Sequence, residues 1–327
     1  MQAHAAEIPV FIFAGQSIAI NSGTDTSQLT PEQLQPKTNV WFYNARAHYP
    51  TTNAVHWNVY QAPTGPAFPN NSESNRSEGS FGPEFITAPM LSQQLYGGQP
   101  VAVFKYAVGA SSLYADYNPT NPGPLFLEMR QACMDALATL PMETGHTGKV
   151  AGFFWTQGES DALDGPATSA AYGANLQVWI NTWRAHLGYP ELPFVYGRIL
   201  PQWPNSEGVR SGQQALSELL PHVAWVDADD LATTTKHYNN AGTMELGRRY
   251  AVGFDSILRA RMGWEFTHNG GLRARFYGLP MTPYRVLCSS NLADWREAII
   301  LQTDVRGLAD LPSFLTQEPI GFFQIGH

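Results

Sequence analysis

Four short polar segments carry residue types that suit nucleophilic catalysis. In chain order they are residues 15–17, 107–112, 155–161 and 236–239. A serine hydroxyl is a poor nucleophile until a base takes its proton, and a neutral imidazole near its ordinary pKa suits that task. The segments therefore offer Ser17 as a candidate nucleophile that attacks a carbonyl carbon and His237 as a candidate general base. The alternative for His237 is a polar residue that caps the last helix.

The serine follows an apolar run at residues 10–14 that is typical of a strand buried on both faces. Gly15 ends this run and permits a tight turn. In an open α/β sheet, catalytic groups stand at the carboxyl end of such a strand. The alternative for residues 15–17 taken alone is a polar turn that leaves a core strand.

Five apolar runs alternate with five helix-like stretches, which predicts a parallel sheet with helices on both faces, a three-layer α/β/α sandwich. The expected strands are residues 9–14, 100–107, 149–155, 193–197 and 222–227. The expected helices are residues 124–140, 169–187, 209–220, 241–262 and a shorter one from Thr87. This order brings all four polar segments to the carboxyl-end face of the sheet.

Residues 21–80 break the alternation and predict a long polar loop that overhangs the site. Aromatic residues in it could stack on sugar rings, or they could anchor an irregular loop. They are Trp41, Tyr43, Tyr49, Trp57 and Tyr60.

The pattern changes again after Met262, where short apolar runs alternate with turns. The runs are residues 275–277, 284–288, 298–301 and 321–325. They predict a small β-rich domain at residues 263–327, following a catalytic domain at residues 1–262.

Composition excludes several classes of protein. The 327-residue chain is 43% hydrophobic with a net charge of −8, which indicates a globular protein and disfavours nucleic-acid binding. No apolar run approaches the roughly 20 residues of a membrane span. No metal-binding or cofactor motif is present. Of the two cysteines, Cys133 is expected to be a buried free thiol on the apolar face of a helix.

The first residues include Ala3-His4-Ala5, a small-x-small pattern like the end of a secretory signal. The pattern predicts a secreted or periplasmic protein. The oligomeric state is not predicted.

The ordered set GQS, AVGxS, WTQGESD and a late histidine resembles the SGNH hydrolases over about residues 8–260. It is most similar to the sialate O-acetylesterase-like branch, which includes carbohydrate esterase family 6. The resemblance implies a flavodoxin-like fold, a serine esterase without cofactor, and an acetylated carbohydrate as substrate. It also implies three oxyanion donors: the backbone N–H groups of Ser17 and Gly109, and the side-chain amide of Gln157.

Thr234 departs from this family, which usually has an aspartate three residues before the histidine. Either the protein works as a Ser–His dyad, or another carboxylate orients the imidazole. Glu159 is the first candidate for that carboxylate, and Asp229 and Asp230 are weaker ones.

Two further positions bear on the resemblance. Ile18 follows the serine where the family commonly has asparagine. Glu84, in a Gly-Pro-Glu element that matches the family, is expected to tie loops together behind the site.

Three functions stay open from the sequence. The first is removal of O-acetyl groups from acetylxylan or another acetylated polysaccharide or oligosaccharide, through an acetyl-enzyme. The second is a broad esterase for small acyl esters or sialate O-acetyl groups. The third is a carbohydrate-binding protein with an inactive hydrolase fold, which the absence of an aspartate at Thr234 makes conceivable.

Overall fold

The structure of the chain is a computed structural model. It describes residues 5–20, 23–45, 56–62, 80–258, 261–266, 272–279, 281–289, 294–311 and 322–326. By its internal contacts the chain divides into two compact units, Met1–Ile257 and Leu258–His327. The boundary at Met262 between functional domains stays a prediction.

One seven-stranded sheet forms the centre of the first unit. Its strands are β1 (Glu7–Gly15), β2 (Lys37–Asn44), β3 (Asn58–Tyr60), β4 (Val101–Ala107), β5 (Thr147–Thr156), β6 (Phe194–Gly197) and β7 (Val223–Val226). They lie in the order β3-β2-β4-β1-β5-β6-β7. Every neighbouring pair is parallel except β2 and β3, which are antiparallel. The predicted α/β class is confirmed.

Seven helices accompany this sheet in the described part of the first unit. They are α1 (Ser17–Ile20), α2 (Glu84–Leu95), α3 (Pro124–Thr144), α4 (Glu159–Leu163), α5 (Pro166–His186), α6 (Ser206–Leu219) and α7 (Asn240–Ile257). Pro124 and Pro166 are the first residues of α3 and α5. A backbone N–H at this position has no acceptor within the helix, so a proline there loses no hydrogen bond. A short 3-10 helix spans Thr26–Gln28.

Two helix boundaries differ from the prediction. The helix expected from Thr87 begins at Glu84, and Thr87 lies inside it with its hydroxyl donating to the carbonyl of Pro83. The helix expected to reach Met262 ends at Ile257, because Met262 belongs to a strand that pairs with residue Phe276.

The predicted loop at residues 21–80 is wrong in part, since β2 and β3 extend the sheet. Tyr43, Trp57 and Tyr60 are buried, and the indole N–H of Trp57 donates to the carbonyl of Ala136 at 2.8 Å. These aromatic residues therefore pack in the core rather than over a site. Trp41 is half-buried in β2, while Tyr49 and residues 63–79 lie outside the described residues.

Aromatic side chains pack against both faces of the central strands. Phe13 of β1 stacks on Phe154 of β5 with ring centroids 4.4 Å apart, and Phe153 stacks on Phe194 of β6 at 4.6 Å. Cys133 is fully buried as a free thiol, as predicted, and burial raises its pKa to about 12. Such a thiol is an inert packing group.

A buried ion pair lies behind the start of α1. Lys105 of β4 donates to the carboxylate of Glu84 at 2.7 Å, and the two side chains are 0% and 1% exposed. The same carboxylate oxygen accepts from the backbone N–H of Gly82 at 3.1 Å. Glu84 thus joins the start of α2 to the sheet, which agrees with the structural role expected for it.

The second unit consists of antiparallel strands. They are β8 (Arg261–Phe266), β9 (Leu272–Tyr277), β10 (Pro283–Ser289), β11 (Arg296–Gln302), β12 (Leu308–Asp310) and β13 (Phe322–Gly326). They form two three-stranded sheets, β11-β10-β13 and β12-β9-β8. Phe276, Tyr284, Val286 and Leu301 form a small buried cluster. The predicted small β-rich segment is confirmed.

Among the helices of the described residues, none combines the length and the apolar character needed to cross a bilayer.

Candidate active site

Ser17 and His237 lie within hydrogen-bonding distance although 220 residues separate them in sequence. The hydroxyl oxygen Oγ of Ser17 is 3.0 Å from Nε2 of His237. Ser17 is the first residue of α1 and is 7% exposed, and His237 is half-buried just before α7. The distance suits proton transfer from the hydroxyl to the imidazole.

Gly15 sets the position of the serine at the end of β1. Its φ is +147°, and a Cβ there would stand 2.0 Å from the carbonyl oxygen of Thr156 on the neighbouring strand. The carbonyl of Gly15 accepts from the backbone N–H of Val108 at 3.0 Å and from the hydroxyl of Tyr117 at 2.9 Å. A glycine is therefore required where β1, β4 and β5 come together.

A buried hydrogen-bond network joins three of the polar segments. The amide nitrogen Nε2 of Gln157 donates to Oε1 of Gln16 at 3.1 Å, to the carbonyl of Ser111 at 3.1 Å, and to Oδ2 of Asp161 at 2.5 Å. Gln16 directly precedes the serine. The network therefore ties the turn that carries Ser17 to the loop after β4 and to helix α4.

Gln157 has different partners from those predicted for it. Its Nε2 is engaged by three protein acceptors, and its Oε1 accepts from the hydroxyl of Tyr172 at 3.0 Å. Reversing the amide would direct its oxygen at the Asp161 carboxylate, which is repulsive. The side chain is thus placed to position Gln16, and an oxyanion would have to displace an existing acceptor.

Asp161, the buried carboxylate of this network, is not among the site residues predicted from the sequence. Its oxygens accept from the backbone N–H groups of Leu113 and Tyr114, both at 2.9 Å, as well as from Gln157. Burial raises the pKa of Asp161, and these three donors act against that rise. The WTQGESD motif contains Asp161, but nothing local in the sequence identifies the loop whose N–H groups it accepts.

Glu159 opens α4 and is 2% exposed. Desolvation raises the pKa of its carboxyl group to about 7, and the nearby Asp161 charge adds to the rise. Within the described residues, its Oε2 is buried without a hydrogen-bond partner. It lies within electrostatic range of Tyr238, the neighbour of His237.

Asp229 and Asp230, the two weaker candidates for the carboxylate that orients His237, form ion pairs with arginine side chains. Asp230 accepts from the guanidinium of Arg249 at 2.6 and 2.7 Å, and its side chain is 70% exposed. Asp229 accepts from Arg198 and Arg210. These ion pairs account for both carboxylates and lower both of their pKa values.

A tight turn carries His237. The backbone N–H of Thr234 donates to the carbonyl of His237 at 2.8 Å, and Thr233 forms an antiparallel bridge with Tyr238. Thr235 occupies the left-handed region with a φ of +56°. Thr234 therefore shapes the turn that carries the histidine.

Gly23, which the sequence analysis also missed, packs directly against this turn. A Cβ on it would stand 2.2 Å from the carbonyl oxygen of Tyr238 and 2.9 Å from Cβ of His237. Ile18, which follows the serine, is fully buried within α1.

Gly109 lies in the loop after β4, next to the Val108 N–H that binds the carbonyl of Gly15. The following residue, Ala110, has a φ of +56°, so the backbone bends sharply at this point. The hydroxyl of Ser111 donates back to the carbonyl of Val108 at 2.6 Å and fixes the bend. The oxyanion role of the Gly109 N–H stays a prediction.

Within the part of the chain that the structure describes, no cluster of three or more His, Cys, Asp or Glu side chains could hold a metal ion.

Comparison with known proteins places this chain in a family. The profile of the SASA family, described as carbohydrate esterase, sialic acid-specific acetylesterase, matches residues 7–256. A crystal structure of an Arabidopsis thaliana protein is similar, with a TM-score of 0.61 and 20% sequence identity, over 77% of this chain and 98% of that one. A carbohydrate acetylesterase from Xanthomonas citri is similar, with a TM-score of 0.53 and 14% identity, over 93% of this chain and 74% of that one. The comparison with curated protein sequences found no match.

Asp161→Asn is expected to lower kcat for p-nitrophenyl acetate by about 100-fold, because a small displacement of reacting groups has an effect of this order. The asparagine removes the buried charge and turns an N–H toward the donors of Leu113 or Tyr114. Steady-state kinetics checks this. Asp164→Asn, at an exposed position of the same segment, is the matched control. Equal and mild effects of both variants would contradict a positioning role for Asp161.

Proposed function

This chain belongs to the sialic acid-specific acetylesterase family of carbohydrate esterases, and we propose that it is a serine esterase that removes O-acetyl groups from carbohydrate. As a member of that family it is a carboxylic ester hydrolase. The single observation that carries the serine mechanism is the 3.0 Å distance between Ser17 Oγ and His237 Nε2.

In the proposed first step, Ser17 Oγ attacks the acetyl carbonyl carbon while Nε2 of His237 takes the hydroxyl proton. The carbonyl oxygen becomes an oxyanion, which the backbone N–H groups of Ser17 and Gly109 stabilise. When this intermediate collapses, the bond to the sugar oxygen breaks and the imidazolium returns its proton to that oxygen. The products are a sugar with a free hydroxyl and an acetyl group on Ser17.

In the second step, a water molecule attacks the acetyl carbon while His237 accepts one of its protons. The bond to Ser17 Oγ then breaks, the imidazolium protonates that oxygen, and acetate leaves. Gln157 takes part through Gln16, whose position it fixes next to the nucleophile. The direct contact between Gln157 and the oxyanion that the family resemblance implies stays a prediction beside this role.

Glu159 is the proposed carboxylate whose negative charge stabilises the imidazolium of His237. It is a buried carboxylate near the His237–Tyr238 turn with an unbonded oxygen, and its pKa of about 7 lies near that of an imidazole. A developing positive charge on His237 favours the ionised form of such a group. The Ser–His dyad is the alternative, in which Glu159 contributes only to folding.

The proposed substrate is an acetylated polysaccharide or oligosaccharide such as acetylxylan. Family membership and the fold shared with a carbohydrate acetylesterase support it. Sialate O-acetyl groups and small acyl esters are the second candidate, which the name of the family favours. Export stays a prediction from the Ala3-His4-Ala5 pattern, most of which lies outside the described residues.

Wild-type protein is expected to release acetate from acetylated xylan and to hydrolyse p-nitrophenyl acetate, whereas Ser17→Ala retains neither activity. Acetate release is compared between acetylated xylan and O-acetylated sialic acid. A preference for the sialic acid would select the second candidate. Binding of either glycan without acetate release would instead support the inactive carbohydrate-binding protein.

Glu159→Gln is expected to lower kcat for p-nitrophenyl acetate roughly ten-fold or more, because an amide cannot supply charge to the imidazolium. Asp230→Asn, the matched control, removes a carboxylate that is engaged by Arg249 and leaves kcat within about two-fold. Comparable losses in the two variants would support the dyad.

The same two variants are expected to differ in how their melting temperatures depend on pH. The pKa of Glu159 is raised in the fold, so its stabilising contribution is fully present below about pH 4.5 and is lost as the pH rises through 7. Glu159→Gln is therefore expected to melt at a higher temperature than wild type at pH 9, with a smaller difference at pH 5. Asp230→Asn gives no such gain, since Arg249 lowers the pKa of Asp230. A lower melting temperature of Glu159→Gln at pH 9 would contradict the burial of this carboxylate.

A further inference from the structure

Tyr114 stands out among the large apolar side chains that the described residues expose to solvent. It is 54% exposed and is the single aromatic residue of that set, whose other members are leucines, methionines, valines and an isoleucine. The aromatic side chains of residues 21–80 that are described do not take such a position, because Tyr43, Trp57 and Tyr60 are buried. Tyrosine rings are enriched at binding interfaces, because one end of the side chain is apolar and the hydroxyl can form hydrogen bonds.

The backbone that carries the Tyr114 ring is held on several sides. Its N–H donates to Oδ1 of the buried Asp161 at 2.9 Å, and its carbonyl accepts from the side-chain amide of Asn118 at 2.8 Å. The next N–H, that of Ala115, donates to the hydroxyl of Ser112 at 3.1 Å. The ring therefore projects from a fixed loop, and ordering it against a ligand costs little conformational entropy.

This loop also borders the reacting serine. The carbonyl of Ser111 and Oε1 of Gln16 both accept from Nε2 of Gln157, each at 3.1 Å. Tyr114 follows three residues later, so its Cα lies within about 11 Å of the Cα of Ser111. The loop that carries the ring thus borders the same edge of the sheet as Ser17.

We propose that the Tyr114 ring is a stacking platform for a pyranose ring of the substrate. The inference rests on the proposed function and names a second contact of that site. One face of a pyranose presents C–H bonds, which are slightly positive, and the face of an aromatic ring is slightly negative. A phenol adds a hydroxyl that can exchange hydrogen bonds with sugar hydroxyls. The platform selects acetylated oligosaccharides over small acetate esters, which present no sugar ring to it.

The test compares two substrates, acetylated β-1,4-xylo-oligosaccharides and p-nitrophenyl acetate, with full-length variants. Tyr114→Ala is expected to lower kcat/KM for the oligosaccharide roughly ten-fold more than for p-nitrophenyl acetate, mainly through KM. Tyr114→Phe and Tyr114→Trp keep a ring and retain most of the activity on the oligosaccharide. Met142→Ala, at a side chain of α3 that is 83% exposed, changes neither substrate's kinetics.

The outcomes separate this inference from the proposed function. If Tyr114→Ala lowers kcat/KM equally for both substrates, or for neither, the platform is wrong and the esterase assignment stands. Hydrolysis of p-nitrophenyl acetate by wild type without any action on the oligosaccharides also overturns the platform. If wild type hydrolyses no acetate ester, the proposed function fails, and the platform fails with it.

Discussion

Buried hydrogen bonds at the carboxyl ends of β1, β4 and β5 hold the proposed reacting groups of this protein in place. Gln157 is central, since its amide binds Gln16, Ser111 and Asp161 at once. A buried polar group that loses its partner costs about 1–3 kcal/mol, so a network of such groups allows few alternative arrangements. The position of Ser17 follows from this restriction together with the close contact at Gly15.

Two carboxylates in the same short helix have different environments. Asp161 accepts three hydrogen bonds, which act against the larger rise in its pKa that burial causes. Glu159 is also buried, its Oε2 has no hydrogen-bond partner among the described residues, and burial raises its pKa to about 7. The hydrogen bonds of Asp161 hold the loop after β4, whereas the proposed role of Glu159 is to respond to charge on His237.

The fold class and the positions of the four polar segments could be predicted, because both depend on local sequence patterns. Buried parallel strands give continuous apolar runs, and the turn after each run carries its polar residues in order. Strands β2 and β3 could not be predicted, since the short apolar run at residues 40–43 of β2 lies within a long polar segment and β3 has only three residues. They join the sheet through the pairing of β2 with β4. The partners of Gln157 and Asp161 are likewise long-range contacts. The exposure of the Tyr114 ring could not be predicted, because it depends on the hydrogen bonds that fix the conformation of its loop.

Reaction with a fluorophosphonate probe, which labels activated serines, tests the central claim most directly. Peptide mapping by mass spectrometry is expected to find one adduct, on the peptide that contains Ser17. The adduct is expected to be absent from Ser17→Ala and to form far more slowly in His237→Ala. An adduct on another serine such as Ser111, or labelling of His237→Ala at the wild-type rate, would contradict the account.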